Sequence, residues 1–180
     1  MRQKSISFLI LKTFLYYLIY NLACTFFIIA TVSMIGLNVY RIFLCVFYLL
    51  GMYFMVFVTA KRDGERDHNL LKYEHISRIN KYKWLKIGFI IVLLTIIPEL
   101  FLIINKLKII EGNLLLLYAF LNGVKYPLVL IMAKNLLISQ ITFFMIFILI
   151  SCCLPLPAVG YFGYYSGYKL IDIKSKIMYE

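Results

Sequence analysis

Charged residues are absent from long blocks of this chain, and the blocks are of bilayer-crossing length. Thr13 to Tyr40 runs 28 residues without a charge, and Ile42 to Ala60 runs 19 more. Ile87 to Ile104 is a third apolar block, interrupted by Pro98-Glu99, and Leu136 to Leu156 is a fourth. A helix needs about 20 apolar residues to cross a bilayer core. The pattern predicts an all-α, polytopic helical membrane protein with spans near 14–36, 42–60, 87–104 and 136–156. The short turn Gly36–Arg41 joins the first two spans as a helical hairpin.

A fifth block, Leu114 to Ala133, has the length of a span but carries Asn122, Gly123, Lys125 and Pro127 in its second half. A lysine at a span's centre costs about 2.5–3.5 kcal/mol on insertion scales. Irregular backbone at membrane depth also needs shielding from lipid. The block therefore reads either as a re-entrant or interfacial segment, or as a fifth span with a polar inner face.

One long polar stretch, Lys61 to Lys86, separates the second block from the third. It holds Lys61, Arg62, Arg66, Lys72, Arg78, Lys81, Lys83 and Lys86. With four spans, 14 basic residues fall on the side of this stretch and 5 on the other; with five spans the split is 12 to 6, with Lys125 in the membrane. Lysine and arginine accumulate on the cytoplasmic side of short loops. The count prefers four spans, with the N-terminus and the stretch 61–86 cytoplasmic in a cell (cytoplasmic) membrane. The segment from about Asp67 onward is expected to leave a loop and form a helix on the membrane surface. Its basic residues would meet anionic head groups or dock a partner.

Composition sharpens the class. Hydrophobic residues make up 63 % of the chain and charged residues 15 %, against about 45–50 % and about 25 % in soluble domains. A net charge of +11 would suggest nucleic acid in a soluble protein. Here the basic residues flank apolar blocks, so nucleic acid is not an expected partner. Cys24, Cys45, Cys152 and Cys153 sit within apolar blocks, without metal-ligand spacing, and read as small buried hydrophobes.

Each candidate for chemistry meets an obstacle. Asp63, Glu65, Asp67 and Glu74 fall at positions 1, 3, 5 and 12 of a calcium-loop pattern. The sixth position, which needs glycine for its sharp turn, is His68, and Arg62 and Arg66 would repel the cation. His68 and His75 lie two helical turns apart but lack a third ligand for zinc. Neither a metal nor another cofactor is expected. No nucleophile elbow, zinc-protease helix or P-loop occurs, so no catalytic residue is assigned.

Glu99 stands well inside a span, where an ionisable group is a functional candidate by default. Lys125 is its natural partner if 114–133 folds back beside the third span. Glu99, Lys125 and Asn122 form the candidate intramembrane polar site, either functional or a structural pair. Gly160, Gly163 and Gly167, spaced so that helices approach closely, are assigned to helix packing, within the chain or in a homo- or hetero-oligomer. Tyr161, Tyr164, Tyr165 and Tyr168, with Tyr82 and Trp84, suit an interfacial aromatic belt.

The blocks ERDHNLLKYEHI…KYKWLKIG and PLPAVGYFGYYSGYK resemble those of small bacterial multi-pass membrane proteins of no assigned activity. The resemblance brings no site residue with it. The leading expectation is a non-enzymatic accessory or interaction subunit. The alternative is a small transporter or channel component using Glu99 and Lys125, and an intramembrane enzyme is the third reading.

Overall fold

The computed structural model describes residues 5–31, 34, 36–76, 79–107, 109, 115–132 and 141–169. These residues are arranged as seven helices: α1 (Ile6–Ala30), α2 (Asn38–Lys72), α3 (Lys83–Lys106), α4 (Leu115–Leu121), α5 (Tyr126–Met132), α6 (Phe143–Ser151) and α7 (Leu156–Tyr168). Among the described residues, four helical stretches are long and apolar enough to cross a membrane: α1, α2, α3 and Phe143–Tyr168, which combines α6 and α7. Large side chains such as Phe26, Phe54, Leu93 and Phe144 stand exposed, while Asp63, Glu99 and Lys125 are buried. Polar groups inside and apolar groups outside is the arrangement a lipid solvent requires. The chain is an all-helical, membrane-spanning protein.

Several boundaries differ from the hydropathy blocks. The first helix begins at Ile6 and ends at Ala30, earlier than the expected 14–36. The fourth stretch runs from Phe143 to Tyr168 rather than 136–156; residues 136–140 lie outside the described set. Thr142 starts α6 by accepting the Met145 backbone N–H at 3.2 Å. A turn at 152–155 separates α6 from α7, and Pro157 sits in the first turn of α7, where its missing N–H costs nothing.

The largest departure is α2. At 35 residues and 1.5 Å per residue it is about 52 Å long, far more than a hydrocarbon core of about 30 Å. Residues 61–72, expected as a loop turning helical only near Asp67, continue the helix without a break. Lysine, arginine, glutamate and leucine are good helix formers, and Lys61 lies 3.9 Å from Glu65 one turn on. The helix ends in a Schellman motif. The Glu74 N–H donates to the Leu71 carbonyl at 3.1 Å, and the His75 N–H donates to that of Leu70 at 2.9 Å.

Contacts divide the chain into two units, one from Met1–Thr13, Tyr53–Ile91 and Pro155–Glu180, the other from Phe14–Met52 and Val92–Leu154. In the first unit, α2 and α7 meet backbone to backbone. A Cβ on Gly64 would overlap the Tyr164 carbonyl, and one on Gly167 would overlap that of Lys61. Gly163 faces the Phe57 carbonyl, and Gly88 of α3 lies against Pro157.

In the second unit, α4 and α5 form a re-entrant hairpin. At seven residues each, neither can span. The Thr25 hydroxyl donates to the Ala119 carbonyl at 3.0 Å. Deeper along α1, the Tyr17 hydroxyl donates to Asn122 Oδ1 at 3.1 Å. The chain then returns, for Arg41, at the start of α2, donates to the Leu130 carbonyl at 2.8 Å. Tyr118 and Val129 share one apolar cluster with Leu102, near the end of α3. The hairpin thus enters and leaves on the side of the α1–α2 turn, and among the described residues no fifth stretch is long and apolar enough to cross a membrane.

Candidate functional site

Two buried polar clusters stand out, one in each unit. The first lies at the tip of the re-entrant hairpin. Between α4 and α5 the backbone leaves the helix at Asn122–Lys125, and the turn is fixed from α1: the Val124 N–H donates to Asn21 Oδ1 at 3.1 Å. Gly123 lies so close to Thr25 and the Asn21 carbonyl that no side chain fits there. This fixes Lys125 opposite Glu99 of α3, and its ammonium pairs with Glu99 Oε1. Both residues are 0 % exposed. Asn122 Nδ2 donates to the same Oε1 at 2.9 Å, and its own Oδ1 accepts from Tyr17.

Around the ammonium stand the Thr95 carbonyl at 3.4 Å and Cys153 Sγ at 3.3 Å. The Glu99 carboxylate is not saturated. Its Oε2 is buried and has no hydrogen-bond partner among the described residues. Pro98 beside it lacks an N–H, which leaves the Leu94 carbonyl without its helical donor. The structure brings together the three residues that the sequence singled out, Glu99, Lys125 and Asn122. It adds Tyr17, Asn21, Thr25 and Tyr118, which sequence reasoning missed. The available signal was Asn21 and Thr25, two polar residues one helical turn apart inside an apolar run.

The second cluster lies beyond the apolar run of α2. Asp63 Oδ2 accepts from Lys83 Nζ at 2.6 Å and from Trp84 Nε1 at 2.9 Å, and Oδ1 accepts from Arg66 at 2.5 Å. Asp67 Oδ2 accepts from Lys83 at 2.7 Å and from the Tyr164 hydroxyl at 3.0 Å. Lys83 also lies 5.5 Å from the Tyr164 ring. Two carboxylates, a lysine and an arginine make a neutral set. It joins α2, α3 and α7, and the Gly64 and Gly167 approaches let α7 come close enough to deliver Tyr164.

These placements alter the sequence expectations. Lys83 was expected at lipid head groups, but it is 2 % exposed because two aspartates hold it inside. Trp84 and Tyr164, expected in an interfacial belt, are buried with their polar atoms on Asp63 and Asp67. Tyr82 remains exposed and stacks on Tyr161 at 6.2 Å. Arg62, Lys72, Lys81 and Lys86 are exposed, Lys61 and Arg66 half-buried, and Arg78 lies outside the described residues. Gly160, Gly163 and Gly167 are buried contacts within the chain. His68 packs edge-on to Tyr168 at 6.0 Å. Among the described residues no group of three or more His, Cys, Asp or Glu is placed to hold a metal ion.

Fold and clusters together define a class: a helical membrane protein with, among the described residues, four helices of spanning length and a short helical hairpin pinned by an internal ion pair. Comparison with protein families, curated proteins and solved structures finds no match to the chain. The bacterial resemblance of the two sequence blocks gains no support there.

Proposed function

We propose that this protein is a non-enzymatic accessory subunit of a cytoplasmic membrane, working by interaction through the polar end of α2. The observation that carries this reading is the neutral Asp63–Asp67–Lys83–Arg66 set with its Trp84 and Tyr164 donors. It holds the end of α2 rigid and leaves Arg62, Lys72, Lys81 and Lys86 facing solvent. A folded basic surface is suited to anionic head groups and to an acidic face on a membrane-protein partner or a second copy. The positive-inside bias assigns that surface and the N-terminus to the cytoplasm.

Photo-crosslinking from positions 72 and 81 in native membranes tests the reading. Capture of a discrete protein, lost when Arg62, Lys72, Lys81 and Lys86 are neutralised together, is the expected outcome. Adducts to lipid alone would sink it.

A second reading is favoured by one specific observation: Glu99 Oε2, without a hydrogen-bond partner among the described residues, lies next to a break in a re-entrant hairpin. Interrupted helices at membrane depth are where transporters place their ion and substrate contacts. A small transporter or channel component would use Glu99 and Lys125 as that contact. Ion flux in proteoliposomes that disappears with Glu99→Gln would support it. Flux that persists in both Glu99→Gln and Lys125→Met would remove it.

A further inference from the structure

The last turns of α2 carry a cleft that shares Arg62 with the basic surface of the first reading. Arg62, Glu65, Arg66, Asn69, Leu70 and Tyr73 follow one another at helical spacing on a single face, and with His75 they line a cleft of about 550 Å³. That volume lies in the range of small-ligand sites. The end of the helix is shaped to complete it. Glu74 holds φ at 58°, a left-handed conformation that costs a residue with a side chain about 1–2 kcal/mol. This conformation turns the chain sharply enough to put His75 on the cleft, and its backbone N–H is tied to Leu70, another lining residue. Strain kept in a backbone is a reason to look for what it positions.

The donors in the cleft outnumber its acceptors. Two guanidinium groups, an amide, a phenol and an imidazole face a single carboxylate, and Lys61 lies 3.9 Å from that carboxylate, Glu65. Arg66 is already oriented, because one of its terminal nitrogens is bonded to Asp63 at 2.5 Å and lies 3.4 Å from Asp67. A fixed guanidinium beside a second, exposed one on Arg62 suits an anion with several acceptor oxygens. Two arginines exclude a metal cation. Arg62 comes two residues after Ala60, where the apolar run of α2 ends, so the near end of the cleft lies at head-group depth.

We propose that this cleft binds a phosphate group, carried by an anionic lipid head group or by a soluble phosphate compound. The proposal shares Arg62 and the anionic head group with the first reading, and it stands or falls on phosphate binding rather than on capture of a protein partner. The test uses the full-length protein in nanodiscs of phosphatidylcholine. One arm titrates inorganic pyrophosphate by calorimetry, and the other measures retention of phosphatidic acid by native mass spectrometry. Binding in either arm that weakens about tenfold in Arg62→Gln, through loss of one charge-assisted contact, and strengthens in Glu65→Gln is the expected result. The arm that responds identifies the source. Opposite effects from two residues at the helix surface cannot both come from misfolding. No binding in either arm, or binding that both substitutions leave unchanged, overturns the proposal.

Discussion

Lys125→Met is the substitution whose cost follows most directly from the structure. Methionine keeps the length and apolar stem of the side chain but removes the ammonium from Glu99. Of the other ammonium contacts, those at 3.4 Å and 3.5 Å to the Thr95 and Leu149 carbonyls are too long to contribute much, and that at 3.3 Å is to Cys153 Sγ, a weak acceptor. Nearly all of the loss is therefore the stranded carboxylate, left among the described residues with Asn122 at 2.9 Å as its side-chain donor. Breaking a buried pair from one side costs about 3–5 kcal/mol. The surviving hydrogen bond places this case near the lower end, at about 3 kcal/mol.

Removing both charges together, as Glu99→Leu with Lys125→Met, strands no charge. It costs only the hydrogen bond that Asn122 loses, about 1 kcal/mol, because Asn122 Oδ1 still accepts from Tyr17. The double variant should thus be more stable than Lys125→Met alone, with a coupling energy above about 2 kcal/mol. Equilibrium unfolding in mixed micelles, followed by the loss of helical circular dichroism, measures this. A double variant that loses the sum of the two single losses would show that Glu99 and Lys125 do not act as a pair.

Three further outcomes follow from other parts of the chain. Gly167→Ala should destabilise by about 3 kcal/mol or more, since its Cβ would meet the Lys61 backbone, a case of overpacking that rigid elements cannot relieve; Gly36→Ala, with nothing within 4 Å, should be close to neutral in the same unfolding assay. Glu74→Gly should stabilise the end of α2 by about 1 kcal/mol, because glycine adopts its φ of 58° without strain; slower hydrogen exchange at the His75 amide, which donates to the Leu70 carbonyl, would report it. Cysteine introduced at Ser175 should react only after the membrane is permeabilised, and labelling from outside intact cells would reverse the assigned orientation.

Much of this architecture can be read in the sequence, and the reasons for the exceptions are physical. Long charge-free blocks announce the spans, because no other solvent accepts so much apolar surface. Glu99 and Lys125 are legible for the same reason: a charge in such a block demands a partner. The polar stretch misleads because its acids and bases are scored as solvated charges. Asp63 and Asp67 resemble loop ligands, yet they sit one turn apart on a continuous helix and meet Lys83, 16 residues after Asp67, through a fold that no local pattern encodes. Trp84 and Tyr164 mislead in the same way. Either ring suits an interface, and only the aspartates show that its polar atom is needed inside.

The tip of the re-entrant hairpin also bears on how the protein is made. Glu99 leaves the ribosome 26 residues before Lys125, and each would enter the bilayer alone at a cost of about 2.5–3.5 kcal/mol. The third span offers the hairpin its counter-charge, so insertion of the hairpin is expected to follow that of α3. A chain with Glu99→Leu should therefore leave Lys125 near the membrane surface and within reach of a water-soluble amine reagent. The ion pair would then be less a device of the finished protein than a checkpoint on its assembly.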